Sequence, residues 1–238
     1  QKPAGYYQLD RAVSGLADAC RALDVPMVGG NVSLYNETSA SPIKPNPTVG
    51  VVGVFDDVTR HATMRWAPNQ LIYLVGNGVP ALGGSEYLSL VLGEVTGTPP
   101  ELDLANEVLV QAAIRGLISS GTISTAHDLA LGGLSIALAK MAVVSEVGAK
   151  VDSKRIIDRS DRADVAWFGE SASQVLVTCD PASSDTLETQ LSDAGVEFTL
   201  LGETGGEQLD FGFVALDLSA LRAALDRAFE LPDVSGAV

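Results

Sequence analysis

A glycine-rich and oxygen-rich segment near the amino end of the chain constrains what this sequence can build. The apolar residues from Val25 to Val28 end at Gly29-Gly30, and residues 31–38 then read Asn-Val-Ser-Leu-Tyr-Asn-Glu-Thr. Glycine lets a backbone approach a phosphate closely, and Mg²⁺ accepts amide and carboxylate oxygens beside water and phosphate oxygens. The segment predicts a strand that opens into a phosphate and metal site, although a bare Gly-Gly-Asn is more often a surface turn.

Composition narrows the class of partner. The chain has 238 residues and a formal net charge of −15, with acidic residues dispersed along it. The chain lacks the stripe of basic residues that proteins use to bind nucleic acid, so a nucleic-acid partner is not expected. A nucleotide could still be bound through Mg²⁺ and backbone N–H groups. No apolar run reaches the roughly 20 residues of a membrane span, so we predict a cytoplasmic protein. The first residues carry no initiator Met, and we expect the chain to begin inside a larger polypeptide.

The first 76 residues have a simple predicted organisation. Apolar residues recur every three or four positions from Leu9 to Leu23, which predicts a helix. A strand through Val28, a proline-rich loop (Pro42, Pro45, Pro47) and a strand over 48–55 are expected next. The apolar run Leu71–Val75 predicts a buried strand, and the glycines after it place a domain boundary near Gly76, between residues 1–76 and 77–238.

Beyond Gly76, helices and strands alternate irregularly, which favours an α+β sheet with helices packed on it. Helices are predicted over 86–92, 102–119, 134–147, 182–194 and 218–229, and strands over 123–126, 174–179 and 196–201. No Walker loop or Rossmann glycine pattern is present. The common nucleotide-binding folds are therefore disfavoured.

Four motifs carry a family resemblance that covers nearly the whole chain. They are Val28-Gly29-Gly30-Asn31-Val32-Ser33-Leu34-Tyr35-Asn36-Glu37-Thr38, Leu82-Gly83-Gly84-Ser85-Glu86-Tyr87-Leu88, Ala126-His127-Asp128-Leu129 with Gly132-Gly133-Leu134, and Phe168-Gly169-Glu170-Ser171-Ala172. Together they resemble the synthetase subunit of the phosphoribosylformylglycinamidine synthase family, in its carboxy-terminal part.

The resemblance implies a fold, an activity and site residues. The fold would be aminoimidazole ribonucleotide synthetase-like (PurM-like): the end of an amino-terminal-type domain, then a complete carboxy-terminal-type domain. The activity would be the ATP-dependent conversion of formylglycinamide ribonucleotide and ammonia to the amidine. By position, Gly30 would contact ATP, Asn31 would ligate Mg²⁺ and Ser33 would touch the substrate. The family's catalytic histidines lie outside this chain, so we expect the chain alone to be inactive.

The later motifs depart from the family pattern. Ala130 and Leu131 stand where Ser and Asp are frequent, and Gln174 stands where Arg is frequent, which removes polar contacts and a phosphate-binding charge. We therefore interpret this half as a degenerate, structural copy. His127 is expected to be structural, while Asp128 could hold a metal in an auxiliary nucleotide site.

The resemblance also implies partners and leaves alternatives open. The partners would be the amino-terminal part of the same subunit, a glutaminase subunit that supplies ammonia and a small accessory subunit. One alternative is a non-catalytic structural or assembly module of that enzyme. Another is a superfamily relative such as a thiamine phosphate or selenide kinase.

Overall fold

The structure of the chain is a computed structural model that describes residues 3–33, 37 and 46–227. Residue contacts divide the chain into two compact units, residues 1–58 and 59–238. Part of the glycine-rich segment, at 34–36 and 38, lies outside the described residues, as do Pro42 and Pro45.

The described part of the first unit contains one helix, α1, Pro3–Ala22. It confirms the helix predicted from the apolar spacing of Leu9 to Leu23. The helix is followed by Asp24 with a positive φ of 54°. Aspartate tolerates this left-handed backbone better than most residues, so it suits a helix end.

The strands predicted through Val28 and over 48–55 are not formed, which corrects the sequence analysis. A β-strand needs a neighbouring strand to satisfy its N–H and C=O groups. No described segment pairs with either stretch. Val28, Val52 and Val54 are 97%, 95% and 91% exposed. These segments therefore have the apolar pattern of strands but no described strand beside them to pair with.

Within the described residues, the second unit contains seven strands, seven α-helices and one 3₁₀ helix, Pro181–Ser183. The strands are β1 Leu71–Val75, β2 Thr125–Asp128, β3 Ala149–Val151, β4 Val175–Cys179, β5 Phe198–Thr204, β6 Gln208–Asp210 and β7 Ala215–Asp217. The helices are α2 Glu86–Leu92, α3 Leu104–Ser120, α4 Gly133–Ser145, α5 Ser153–Ile157, α6 Ala163–Phe168, α7 Ser184–Asp193 and α8 Leu218–Arg227.

The strands form one sheet in the order β2-β4-β1-β5-β3-β6-β7. All neighbouring pairs are antiparallel except β3 and β6, which are parallel. Val175 at the start of β4 lies opposite both Val75 at the end of β1 and Asp128 at the end of β2. The loops that follow β1 and β2 and the loop that precedes β4 therefore meet at one end of the sheet.

Helices cover both faces of the sheet because successive strand residues point to opposite sides. In β1, Ile72 and Leu74 belong to one buried cluster, whereas Tyr73 and Val75 belong to the other. The first cluster is built with α4 and α6, and the second with α3 and α7. Buried residues lie all around α4, as expected for a helix enclosed by the core. No described helix has the length and apolar character to cross a membrane.

The predicted α+β class is confirmed by this single mixed sheet. The elements missed by the sequence analysis are β3, β6, β7, α5 and α6, each only three to six residues long. Such short pieces show too few periods for a pattern to appear. The boundary near Gly76 stays a prediction: β1, just before it, lies inside the second unit's sheet, and the contacts divide the chain earlier, after Val58.

Replacing Leu138 by Ala tests the core around α4. Leu138 is 0% exposed in the first cluster, so Leu138→Ala should lower the free energy of unfolding by about 2–5 kcal/mol. The matched control is Leu90→Ala on α2, whose side chain is 84% exposed; it should change stability by less than about 0.5 kcal/mol. Urea denaturation followed by circular dichroism measures both, and equal losses would contradict the packing described.

Candidate functional site

The segment predicted to meet ATP and Mg²⁺ lies in the first unit, after α1 and outside any helix or strand. Gly30, Asn31 and Ser33 are all exposed. An atom placed at the Cβ position of Gly30 would meet nothing within 4 Å, so a ligand can reach the backbone there. Asn31 presents an amide oxygen to solvent. This geometry is compatible with an anion against the backbone and a hard cation beside it.

One amide oxygen does not complete a metal site. Within the described residues, no group of three or more His, Cys, Asp and Glu side chains is arranged to hold a metal ion. Mg²⁺, however, keeps several water ligands and is often bound through one or two protein oxygens plus substrate phosphates. Asn31 therefore fits the role of a single protein ligand to a nucleotide-bound cation.

The later motifs meet in the second unit, in what we term the sheet-end cluster: residues 76–86, 127–133 and 168–174. Ala81 and Glu170 exchange two backbone hydrogen bonds of 3.0 and 2.9 Å, and the N–H of Leu129 donates to the carbonyl oxygen of Gln174 at 3.0 Å. Gly133 has a φ of +64°, and a Cβ there would lie 2.5 Å from the Gly169 carbonyl oxygen. The motifs are far apart in sequence, and the strand order brings them together.

Glu170 links two helix starts in this cluster. Its Oε1 accepts hydrogen bonds from the backbone N–H of Gly132, at 3.0 Å, and of Glu86, at 3.1 Å. These residues open α4 and α2, where unpaired N–H groups and the helix dipole favour a negative charge. The protein's own carboxylate therefore occupies the position that an external anion would take.

Ser85 is the N-terminal cap of α2. Its Oγ accepts from the N–H of Leu88 at 3.3 Å and donates to the carbonyl oxygen of Leu82 at 2.6 Å. The side chain is 1% exposed. Both of its hydrogen-bonding functions are thus used inside the protein.

His127 lies on β2, and its Nδ1 is 3.6 Å from Oδ1 of Asp128. Burial lowers its pKa below the usual value; Asp128 opposes this shift, and Lys140 adds to it. Burial therefore disfavours the charged form of the imidazole. Asp128, predicted as an auxiliary metal ligand, is exposed, and the structure adds no further observation to that role.

Sequence analysis missed Arg159, which approaches Gln174 from the segment between α5 and α6. Its Nη2 donates to Oε1 of Gln174 at 2.8 Å, and the same oxygen accepts from Ser171 Oγ at 2.7 Å. A guanidinium is therefore present where the chain lacks the family's frequent Arg. No sequence spacing signals this, because the contact depends on how the segment folds back onto the sheet.

A groove lies elsewhere, beside β3 and β5. It has a volume of about 720 Å³, and Lys150, Arg155 and Glu203 are among its lining residues. Arg155 is held by Asp152 and by the carbonyl oxygen of Leu200. None of the predicted motifs lines this groove.

Replacing Glu170 by Ala tests its link between α2 and α4. Because two backbone N–H groups lose their acceptor, Glu170→Ala should lower the free energy of unfolding by about 1–3 kcal/mol. Glu170→Gln keeps a carbonyl oxygen and should lose less. The control Glu94→Ala removes an exposed glutamate and should be nearly neutral. Urea denaturation of the four proteins is the measurement, and equal effects at Glu170 and Glu94 would contradict the link.

The lowered pKa of His127 predicts a pH dependence. The unfolded chain takes up the proton more readily than the folded protein, so stability should fall as the pH drops through the unfolded pKa of about 6.5. Replacing the side chain, as in His127→Gln, should reduce the stability difference between about pH 7.5 and 5.5. Chemical denaturation at both pH values measures it. An unchanged difference in the variant would show that His127 is not responsible.

Comparison with known proteins places the chain in a family. Residues 67–214 match the C-terminal domain of AIR synthase related protein, and residues 2–55 match the N-terminal domain of the same family. The PurL subunit of phosphoribosylformylglycinamidine synthase from Thermomicrobium roseum is 42% identical to this chain over 89% of the chain's residues. The aligned region covers 29% of that relative. The chain thus spans less than a third of the length of such relatives.

Solved structures show the same fold. T. maritima PurL complexed with AMPPCP aligns at a TM-score of 0.64 and 19% identity, covering 87% of this chain and 34% of the other. The structure of PurLQS from Thermotoga maritima aligns at 0.50 and 17% identity, covering 66% and 26%. The predicted fold and family resemblance are thereby confirmed: the chain belongs to the AIR synthase related family, and its sequence is similar to the PurL subunit of phosphoribosylformylglycinamidine synthase.

Proposed function

We propose that this chain is part of a phosphoribosylformylglycinamidine synthase synthetase subunit, acting in the cytoplasm in purine biosynthesis. The observation that carries the proposal is the 42% identity to a PurL subunit over 89% of the chain. The exposed segment around Gly30 and Asn31 supports it with a backbone open to a phosphate and an amide oxygen open to a cation.

The two units would then have different tasks. The first would be the end of an amino-terminal-type domain that contributes to the ATP and Mg²⁺ site, and the second would be a carboxy-terminal-type domain. The domain matches over 2–55 and 67–214 support this division. Because the chain spans 29% of its relative, the remaining part of the subunit would supply the other site residues.

The reaction joins nitrogen to carbon in two stages. The glycinamide carbonyl oxygen of formylglycinamide ribonucleotide attacks the γ-phosphorus of ATP, and ADP leaves. Ammonia then adds to the activated carbon, the C–O bond to phosphate breaks and a proton is released, which gives the amidine. Mg²⁺ would neutralise charge on the phosphoryl group, as in other phosphoryl transfers.

Within this scheme the chain's residues position the reactants. The open backbone at Gly30 would lie against nucleotide phosphates, and the Asn31 amide oxygen would hold the cation that accompanies them. The Ser33 hydroxyl would contact the substrate. None of these side chains is a nucleophile or general base, so the chain contributes positioning and electrostatics rather than proton transfer.

The proposed partners follow from the same assignment. Ammonia would come from a glutaminase subunit, and a small accessory subunit would complete the assembly. The neighbouring PurLQS structure supports an assembly of this kind. The amino-terminal part of the same subunit would be the partner in most direct contact with this chain.

A second candidate function, an assembly module without its own catalytic site, applies to the second unit. Ala130 and Leu131 stand at its sheet end as exposed apolar or small side chains, and Glu170 uses its carboxylate internally. These observations favour a supporting role for residues 59–227.

Replacing Asn31 by Ala distinguishes a metal ligand from a surface loop. This chain, mixed with the separately produced amino-terminal part of the subunit, should release ADP from Mg-ATP with formylglycinamide ribonucleotide and ammonia. Asn31→Ala should lower that rate by at least about 10–100-fold, because even the loss of a residue that only supports a metal ligand typically costs that much. The chain alone should be inactive.

The matched control is Asn77→Ala, another exposed asparagine, whose amide donates to Glu197 Oε1 at 3.0 Å. It should leave the rate within about twofold, because exposed polar contacts contribute little. A near-normal rate with Asn31→Ala would reject the metal assignment. Inactivity of every mixture of folded, associated pieces would instead favour the related kinases.

A further inference from the structure

A compact excursion of the second unit, residues 84–97, contains α2, and we term it the α2 lobe. Its two ends lie against each other. The N–H of Gly84 donates to the carbonyl oxygen of Thr96 at 2.7 Å. A Cβ on Gly83 would lie 1.8 Å from the carbonyl oxygen of Thr98, so the backbones on either side of the lobe touch. Closed excursions of this length are frequently functional in proteins.

The α2 lobe exposes large apolar side chains. Helix α2 has no buried residue. Within residues 90–95, four apolar side chains are between 56% and 84% exposed: Leu90, Val91, Leu92 and Val95. A single exposed apolar residue is normal on a protein surface, but a concentration of them at one place indicates a surface that another surface covers.

The charged residues around the α2 lobe are acidic. Residues 66–114 contain five acidic side chains and no Lys, Arg or His. Three of these acids lie in or beside the lobe with exposed side chains: Glu86, Glu94 and Glu101. Arg162 interacts electrostatically with Tyr87 of α2, but it is paired with Asp164 at 2.6 Å. The apolar surface therefore has an acidic border, which is complementary to a surface bordered by Lys or Arg.

Charge and size both narrow the choice of partner. The chain has a formal net charge of −15, and a symmetric contact between two copies would bring two acidic borders together. Four side chains supply only part of the roughly 1,200–2,000 Å² that a specific interface between free proteins buries. A partner joined in the same polypeptide needs a smaller contact, because its effective concentration is already high.

We propose that the α2 lobe packs against the amino-terminal part of the same synthetase subunit, on an apolar surface bordered by Lys or Arg. The inference rests on the proposed function, in which this chain spans 29% of such a subunit, so the greater part of the subunit is available to cover the lobe. It adds a contact surface on the second unit that is distinct from the Gly30 and Asn31 segment.

Thiol labelling of Leu90→Cys tests whether the lobe is covered. The variant is made in this chain and in the complete subunit that contains it, and maleimide labelling is followed by peptide mass spectrometry, which separates the new thiol from Cys20 and Cys179. We expect labelling to be about tenfold slower or more in the complete subunit, because a covered thiol reacts only after local opening. The matched control is Thr189→Cys, at an exposed position on α7, which should react equally fast in both.

Leu90→Glu gives a second readout that does not depend on thiol chemistry. In the chain alone Leu90 is exposed, so the variant should melt within about 1 °C of the unchanged chain. In the complete subunit the carboxylate would enter an apolar contact, so the variant should melt about 2 °C or more below the unchanged subunit. Thr189→Glu adds the same charge on α7 and should leave both melting temperatures unchanged.

Equal labelling of Leu90→Cys in the chain and in the complete subunit would overturn the proposal, as would an unchanged melting temperature of the complete subunit with Leu90→Glu. Protection that appears only after the glutaminase or accessory subunit is added would overturn it in favour of that subunit. Protection that grows with the concentration of the chain alone would overturn it in favour of a second copy.

A parallel assay separates this proposal from the proposed function. The complete subunit is tested for ADP release from Mg-ATP with formylglycinamide ribonucleotide and ammonia. A folded subunit that releases no ADP would reject the proposed activity, whether or not the lobe is protected. An active subunit with an unprotected lobe would reject the contact surface alone.

Discussion

The second unit depends on β1, which lies between β4 and β5 and contributes to both layers of the core. Ile72 and Leu74 pack under α4 and α6, while Tyr73 and Val75 pack under α3 and α7. Burial and Glu188 raise the pKa of Tyr73, so its hydroxyl stays protonated and donates to Glu188 at 2.7 Å. Because one strand is shared by two apolar layers, a change in its register would exchange the side chains of both.

This arrangement also creates the sheet-end cluster. Because β1 and β2 are both antiparallel to β4, the ends of β1 and β2 lie beside the beginning of β4. The loop that follows β2 and the loop that precedes β4 are thereby brought into contact. Glu170 joins the starts of α2 and α4 through hydrogen bonds. Most described donors and acceptors of the cluster's backbone junctions are paired with one another.

The two units consequently differ in what they offer a ligand. Around Gly30 the backbone is open, and the neighbouring polar side chains of Asn31 and Ser33 are exposed. At the sheet end, most described polar groups have hydrogen-bond partners within the protein. The apolar Leu131 stands where the family resemblance leads one to expect an aspartate. The first unit therefore leaves polar groups open to solvent around Gly30, whereas most described polar groups at the sheet end are paired within the protein.

The sequence by itself determined the family, the α+β class and the longer elements, such as α3, α4 and β4, because repeated apolar spacing records which face is buried. It did not determine whether Val28 and residues 48–55 form strands, since strands need partners that local pattern cannot supply. Only the tertiary structure decided that Glu170 caps two helices and that Arg159 reaches Gln174. Those contacts join separate elements, and their geometry is set by packing rather than by spacing along the chain.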